Sequence, residues 1–182
     1  MFEVSRRREH RELRVLRFSE IEESTIPRNP GVYVVCWIKE GNVTPVPRIL
    51  GVDKAGILYV GSAANLVRRL RSLIKAIRTA RGENEKSNNK HTLAQTLLYT
   101  GLIEKISSKD LLLYYKTFNS KKEAEIQEAL FLYEYTRLYG EPPPLNLKVG
   151  RQVSMILDLG RLGESVITGE LDPELATLLT RS

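Results

Sequence analysis

Two apolar, strand-like runs followed at once by a basic helix are the feature that most limits how this chain can fold. The first run, Gly31 to Lys39, is rich in β-branched and aromatic residues, and Ile57 to Val60 is a shorter run of the same kind. Each run carries a tyrosine and a glycine, in Gly31-Val32-Tyr33 and in Tyr59-Val60-Gly61. Glycine lets a backbone come close to a ligand such as a polyphosphate. We predict two hairpin-paired strands and a ligand near their tyrosines.

Residues 64–81 are predicted to form a helix with one apolar and one basic face. The apolar residues recur at helical spacing and are Leu66, Leu70, Leu73, Ile74 and Ile77. The basic residues that cluster opposite them are Arg68, Arg71, Lys75 and Arg78. No acidic residue occurs between Asp53 and Glu83. The basic face is therefore a candidate nucleic-acid-binding surface, although a solvated stripe explains it adequately too.

Arg69 does not belong to that basic face. It follows Leu66 by three residues and precedes Leu73 by four, so it borders the apolar face. A guanidinium at such a border requires an anionic partner or a water-filled cleft. We therefore select Arg69 as the arginine of this helix that takes part in chemistry.

A second charged residue falls within an apolar helix face. Ser120 to Glu123 is interpreted as a capping box that begins a helix reaching about Tyr139. Glu128 lies in this helix, and its same-face neighbours are apolar, namely Ala124, Phe131, Leu132 and Tyr135. A carboxylate in such a stripe must be paired, protonated or bound to a metal ion. A core arginine or tyrosine hydroxyls would also satisfy it without any catalytic role.

Further elements follow from apolar runs, caps and turn residues. A helix is predicted from about Thr92 to Tyr99 and a third strand over Leu111–Phe118. A short strand at Arg48–Val52 is expected within the long connection before the second run. Residues 82–90 form a polar loop. A last short helix begins at Asp172-Pro173, where a cap residue precedes a proline.

The chain divides into three predicted segments. Residues 1–28 form a basic arm, and residues 1–20 of it are interpreted as a short helix. The alternative without a functional role is a solvated helix of mixed charge. Residues 29–150 form the main domain. Residues 151–182 are an extension without recognisable chemistry, which either packs on the domain or makes an oligomer or partner-protein contact.

Composition limits the function classes. The net charge of +6 and pI near 9.5 suggest a polyanionic partner, although a basic protein without a nucleic-acid role has the same balance. One cysteine excludes an internal disulfide framework, and two histidines far from it give no zinc spacing. No stretch is long enough to cross a membrane, and no secretion signal is evident. We expect an intracellular, cytoplasmic protein.

At its two tyrosine motifs the chain resembles the GIY-YIG nuclease family, including its UvrC-like members. Tyr59 to Leu66 matches the family pattern Tyr-x-Gly-x-Ala-x-Asn-Leu, and an arginine follows. Glu123 to Glu128 matches Glu-Ala-x-x-x-Glu, and Pro143 to Asn146 matches Pro-x-hydrophobic-Asn. Five matching positions in the right order are far more specific than a single short motif. The resemblance covers roughly residues 29–147.

The resemblance implies an α+β fold in which a small three-stranded antiparallel sheet is flanked by helices, in the order strand, strand, helix, helix, strand, helix. It implies a DNA endonuclease that needs Mg²⁺ or Mn²⁺. Glu128 would bind the metal, and Arg69 would clamp phosphate oxygens. Tyr33 would serve as a base only if nearby positive charge lowers its pKa, and Tyr59 would position water or phosphate. Asn146 would hold the site together.

Some positions depart from the family pattern. Ser62 stands where UvrC-like members have a lysine, so that cationic contact is missing or supplied from elsewhere. The gap between the tyrosines and the loop from Gly140 to Pro144 are longer than usual. For His91, a capping or surface role is expected rather than catalysis. Two rival functions stay open: a nucleic-acid-binding module on this fold without cleavage, and a basic structural protein that binds RNA or a protein partner.

Overall fold

The computed structural model describes residues 12–21, 25–83, 91–147 and 169–180. The strands in these ranges are β1 (Arg14–Arg17), β2 (Gly31–Lys39), β3 (Asn42–Val43), β4 (Val46–Arg48), β5 (Gly51–Asp53), β6 (Ile57–Ala63) and β7 (Leu111–Thr117). The α-helices there are α1 (Leu66–Ala80), α2 (Thr92–Tyr99), α3 (Lys121–Tyr139) and α4 (Pro173–Leu179). Short 3-10 helices cover Phe18–Glu20, Leu102–Glu104 and Ser108–Asp110. The fold is therefore α+β.

The long strand β2 is the centre of an antiparallel sheet. It pairs with β7 along one side and with β6 along the other, and β3 pairs with its end. β1 adds to the outer side of β7. In this register Tyr33 lies opposite Gly61 on β6 and opposite Tyr115 on β7. The predicted pairing of the two tyrosine-bearing strands is confirmed, although β3, β4 and β5 lie between them in the chain.

Both faces of this sheet are buried. Successive side chains of a strand point to opposite faces, so Tyr33 and Val35 enter a core formed with α1 and α2. Val32, Val34 and Cys36 enter a second core, formed with α3 and α4. Burial on two sides explains why β2 is a continuous apolar run rather than an alternating one.

Local capping signals set the helix ends. α1 covers Leu66–Ala80, slightly less than the predicted 64–81. The Asn65 side chain accepts a hydrogen bond from the Arg68 N–H at the start of α1, and Ser120 does the same for Glu123 in α3. α3 ends at Gly140, whose positive φ of 78° suits a residue without a side chain. The Asp172 carboxylate accepts two N–H groups at the start of α4.

The predicted helix in the N-terminal arm is wrong for residues 14–17, which form β1. The outer edge of β7 supplies backbone partners for an extended segment here, and such pairing overrides a weak helical preference. Leu16 packs against the first core, and Phe18 just beyond it is buried. With β1 and β3 the sheet has five strands rather than the three predicted. Residues 1–11 lie outside the described part of the chain.

The predicted strand at Arg48–Val52 is also wrong in detail. Its two ends belong to β4 and β5, which form a hairpin with Ile49 and Leu50 in the turn and Arg48 opposite Gly51. The hairpin is attached to the end of α3, because the Leu50 N–H donates to the Tyr139 carbonyl and Arg48 forms an ion pair with Glu141.

The described part of the C-terminal extension packs on the domain. Leu175 and Leu178 of α4 are fully buried against the second core. Lys116 on β7 is largely buried and forms ion pairs with Asp172 (2.7 Å) and Glu174 (2.8 Å). An oligomer contact through this segment stays a prediction. Within the described ranges, no helix is both long and apolar enough to cross a membrane.

Candidate active site

The two motif tyrosines lie on neighbouring strands and on the same face of the sheet. Tyr33 projects from β2 and Tyr59 from β6, with ring centroids 6.0 Å apart. Tyr33 is 0% exposed and Tyr59 6% exposed. The sheet register, rather than proximity in sequence, therefore brings the two phenols together.

The motif glycines make room for atoms of the protein itself. A Cβ on Gly61 would lie 2.6 Å from the Tyr33 hydroxyl oxygen. A Cβ on Gly31 would lie 2.4 Å from Leu66 Cδ1 and 2.4 Å from the Lys116 carbonyl oxygen. We expected these glycines to make room for a ligand, but the space beside them is filled by atoms of the protein. Gly61 is what allows the buried Tyr33 ring to fit.

Arg69 reaches this pair of tyrosines from α1. Its Nε donates a hydrogen bond to the Tyr33 hydroxyl, 3.1 Å away. The residue is half-buried, as its place at the border of the apolar helix face predicted. The aromatic hydroxyl therefore fixes the orientation of a guanidinium that also borders an open cleft.

Burial dominates the protonation of both tyrosines. It raises the pKa of Tyr33 far above the ordinary value, and the opposing effect of the Arg69 charge is smaller. Burial raises the pKa of Tyr59 too, with Arg69 again opposing. Both residues are protonated phenols at neutral pH. The lowered pKa on which a base role for Tyr33 depends is not present in the free protein.

Glu128 approaches from the other side of the sheet. Its Oε2 accepts a hydrogen bond from Ser62 Oγ at 2.5 Å. Burial raises the pKa of this carboxyl, while the Ser62 hydrogen bonds and the positive charge of Arg69 lower it. The partner is thus neither of the two expected, a core arginine or a tyrosine hydroxyl. Sequence reasoning noted Ser62 only as a departure from the UvrC-like lysine and missed its contact with Glu128, although strand alternation places it on the same face as Val60, toward α3.

Asn146 fastens the segment after α3 to the edge of β6. Its Oδ1 accepts from the Val60 N–H at 2.9 Å, and its Nδ2 donates to the Val60 carbonyl at 2.8 Å. The Leu145 N–H donates to the Leu58 carbonyl beside it. The Asn146 side chain thus bonds the backbone between Tyr59 and Gly61. It is a positioning residue for both motif positions.

His91 caps α2, in agreement with the capping role expected for it, but it is buried rather than on the surface. Its Nδ1 accepts from the Leu93 N–H at 3.3 Å, so the ring proton is assigned to Nε2. The ring meets Tyr59 edge-on, with centroids 6.4 Å apart. Burial and the Arg69 charge lower the pKa of His91 to about 3. Within the described atoms, Nε2 has no hydrogen-bond partner.

A cleft of about 430 Å³ opens beside the end of β6, between the N-terminal parts of α1 and α3. Its lining residues are Ser62, Ala63, Ala64, Asn65, Arg68, Arg69, Ser72, Lys121 and Glu125. Tyr33, Tyr59 and Glu128 are not among them. Arg69 and Ser62, which contact Tyr33 and Glu128, connect these more deeply placed residues to the opening.

The predicted nucleic-acid-binding residues lie along one side of α1. Arg68, Arg71 and Lys75 are exposed, and Arg78 is half-buried. Of these four, Arg68 lines the cleft. The stripe therefore begins at the cleft and continues along the helix away from it.

The donor set fits a metal ion that is bound together with substrate. The described residues contain no group of three or more His, Cys, Asp or Glu side chains that could hold a metal ion. Glu128 offers one carboxylate, held in place by a hydroxyl. Mg²⁺ is often held by one or two carboxylates, with waters and substrate phosphate oxygens completing its shell.

Four of the five predicted catalytic residues meet around the end of β6. Arg69 contacts Tyr33, and its charge influences the pKa values of Tyr59 and Glu128. Asn146 acts through the backbone of β6. Comparison of the chain with protein-family models, with curated proteins and with solved structures found no match.

Proposed function

We propose that this chain is a divalent-metal-dependent endonuclease of the GIY-YIG type that hydrolyses phosphodiester bonds in DNA. The observation that carries the proposal is the arrangement of Arg69, Tyr33 and Tyr59 with Glu128 behind a cleft whose walls bear cations. The order β2, β6, α1, α2, β7, α3 supports the GIY-YIG assignment.

We assign to Arg69 the binding of the scissile phosphate. Tyr33 holds its Nε, so the guanidinium is oriented before substrate arrives. A preoriented guanidinium makes charge-assisted hydrogen bonds to non-bridging phosphate oxygens, and these strengthen as charge develops in the transition state. Because Tyr33 remains a protonated phenol, we assign it this orienting role rather than that of the base.

We assign to Glu128 the binding of the metal ion. When bound, Mg²⁺ or Mn²⁺ would neutralise charge on the phosphate and on the leaving oxygen. Ser62 holds one carboxylate oxygen of Glu128 and so fixes the carboxylate toward the end of β6. Tyr59, also protonated, would donate a hydrogen bond to water or phosphate.

The basic face of α1 supplies backbone affinity without sequence specificity. Arg68, Arg71, Lys75 and Arg78 would contact phosphates outside the site. Binding should weaken steeply with salt, because each neutralised phosphate adds about 0.9 to the slope of log affinity against log salt on duplex DNA.

We expect the purified chain to nick supercoiled plasmid with Mg²⁺ or Mn²⁺ and not with EDTA. Glu128→Gln and Arg69→Ala should each reduce the nicking rate by roughly a hundredfold or more, because each removes charge stabilisation from the transition state. Glu134→Gln, a carboxylate change elsewhere on α3, is the matched control and should leave the rate unchanged. The proposal fails if both site variants cleave normally.

The second candidate is a nucleic-acid-binding module on the same fold without cleavage. The observation that favours it is that Ser62, at the position of the family lysine, is engaged with Glu128. Salt-sensitive DNA binding without metal-dependent nicking would support this module. Absence of any nucleic-acid affinity would favour the third candidate, a basic protein with a protein partner.

A further inference from the structure

The wall of the cleft that faces α1 carries a cation that the proposed chemistry does not use. Lys121 is the first residue of α3, lines the cleft and has a side chain that is 65% exposed. Arg68 lines the opposite wall, from the first turn of α1. Arg68 and Lys121 therefore come from the two helices that border the cleft, and Arg69 is a third cation in its lining.

Local stability does not explain a lysine at this place. The N-terminal end of a helix carries partial positive charge, which disfavours a cation. The Lys121–Glu125 ion pair of 3.1 Å has the lysine on the N-terminal side, the less favourable order for such a pair. A residue placed against local preference is expected where it serves a ligand.

Glu125 is the one carboxylate among the lining residues of this cleft, and it is paired with Lys121. An exposed pair of this kind is weak and is exchanged readily for a stronger anionic partner. A phosphate group in the cleft would meet Lys121 and Arg68 once Lys121 leaves Glu125. Glu125 thus masks Lys121 while the cleft holds no phosphate.

We propose that Lys121 and Arg68 form a second phosphate subsite, which binds the DNA phosphate next to the one held by Arg69, and that Glu125 competes with this phosphate for Lys121. The inference rests on the proposed function. It adds the path of the DNA strand, which would cross the cleft from α1 to the start of α3. A cleft of about 430 Å³ has room for more than a single phosphate group.

The test uses the fact that two substitutions break the same ion pair with opposite expected effects. Lys121→Gln removes a phosphate contact and should weaken binding roughly tenfold, reducing the salt slope by about 0.9. Glu125→Gln frees Lys121 and should tighten binding. If the pair only stabilises α3, the two substitutions should act alike.

Binding is measured with the full chain by fluorescence anisotropy on a labelled, mixed-sequence DNA duplex in EDTA, over a series of salt concentrations. Lys122→Gln removes the same charge from a neighbouring residue outside the cleft lining and controls for Lys121→Gln. Glu134→Gln breaks an exposed pair with Arg137 on the same helix and controls for Glu125→Gln. In the double variant Lys121→Gln/Glu125→Gln, the gain in DNA affinity that Glu125→Gln gives alone should vanish.

The outcomes separate this inference from the proposed function. If the unmodified chain binds the duplex and Lys121→Gln behaves like Lys122→Gln, the subsite is refuted while the endonuclease proposal stands. Weaker binding by Glu125→Gln would also refute it. If the unmodified chain binds no duplex at any salt concentration, both proposals fail together.

Discussion

At neutral pH His91 is an uncharged imidazole that caps α2 and meets Tyr59 edge-on. Burial lowers its pKa to about 3, whereas the unfolded chain has the ordinary value of 6.5. Between those two values the unfolded chain binds a proton that the folded chain excludes. The stability that depends on neutral His91 is therefore complete above pH 6.5 and is lost as the pH falls toward 3.

We predict that His91→Asn flattens this pH dependence, because asparagine also caps helices but does not titrate. Below the ordinary pKa, the unmodified chain should lose up to about 1.4 kcal/mol of unfolding free energy per pH unit relative to the variant. Urea unfolding at about pH 7.5, 6 and 5 measures this difference. His91→Ala, which loses the cap as well, should be less stable at every pH. Parallel pH profiles for the unmodified and Asn chains would contradict the prediction.

The residue scale is also where sequence reasoning found the charged members of the site and missed their neighbours. Arg69 and Glu128 stand out because each is a charged residue within or beside an apolar helix face, and residue spacing alone shows this. Ser62 stands out only as a departure from the UvrC-like lysine, and its contact with Glu128 is not evident until α3 is placed across from it. The packing role of Gly61 likewise depends on the register with Tyr33.

At the scale of elements, Asn146 holds β6 by its free edge. We predict that Asn146→Ala lowers the unfolding free energy by about 2–5 kcal/mol, because the buried Val60 N–H and carbonyl both lose their partner. Nicking should fall as well, since β6 carries Tyr59. Chemical unfolding and plasmid nicking measure the two effects. Leu147→Ala, an exposed neighbour, should change neither by much. A variant with unaltered stability would show that β6 does not depend on this contact.

Element boundaries were predictable wherever a local signal sets them. The caps at Ser120 and Asp172 and the glycine at 140 each act within a few residues, so α3 begins and ends, and α4 begins, as predicted. The Asn65 cap was not predicted, and α1 begins two residues later than expected. β1 was not predictable in this way. Its four residues are extended because β7, almost a hundred positions later, has an edge to pair. Such tertiary pairing overrides weak local preference.

At the scale of the whole molecule, one buried lysine connects the chain ends to the sheet. Lys116 of β7 pairs with Asp172, which caps α4, and with Glu174, which also accepts the Leu13 N–H just before β1. The network therefore joins β1, β7 and α4. Of these elements, β1 and α4 lie near opposite ends of the sequence.

We predict that Lys116→Met lowers the unfolding free energy by about 1–3 kcal/mol, because two partly buried carboxylates lose their cation. The figure is below that of a fully buried pair, since Glu174 is 43% exposed. Urea unfolding measures the loss, and faster amide hydrogen exchange in α4 would locate it. Arg137→Gln, which breaks an exposed pair, should cost about 0.5 kcal/mol or less. Equal losses in both variants would refute a special role for Lys116.

The candidate site is divided between the two faces of one sheet. Tyr59 points toward α1 and α2, whereas Ser62, three positions along β6, points toward α3 and Glu128. Because side chains alternate, a slip of β6 by one residue against β2 would move Tyr59 away from the face that carries Tyr33 and Ser62 away from the face that carries Glu128. The register of β6 against β2 therefore decides whether the side chains of the candidate site can come together.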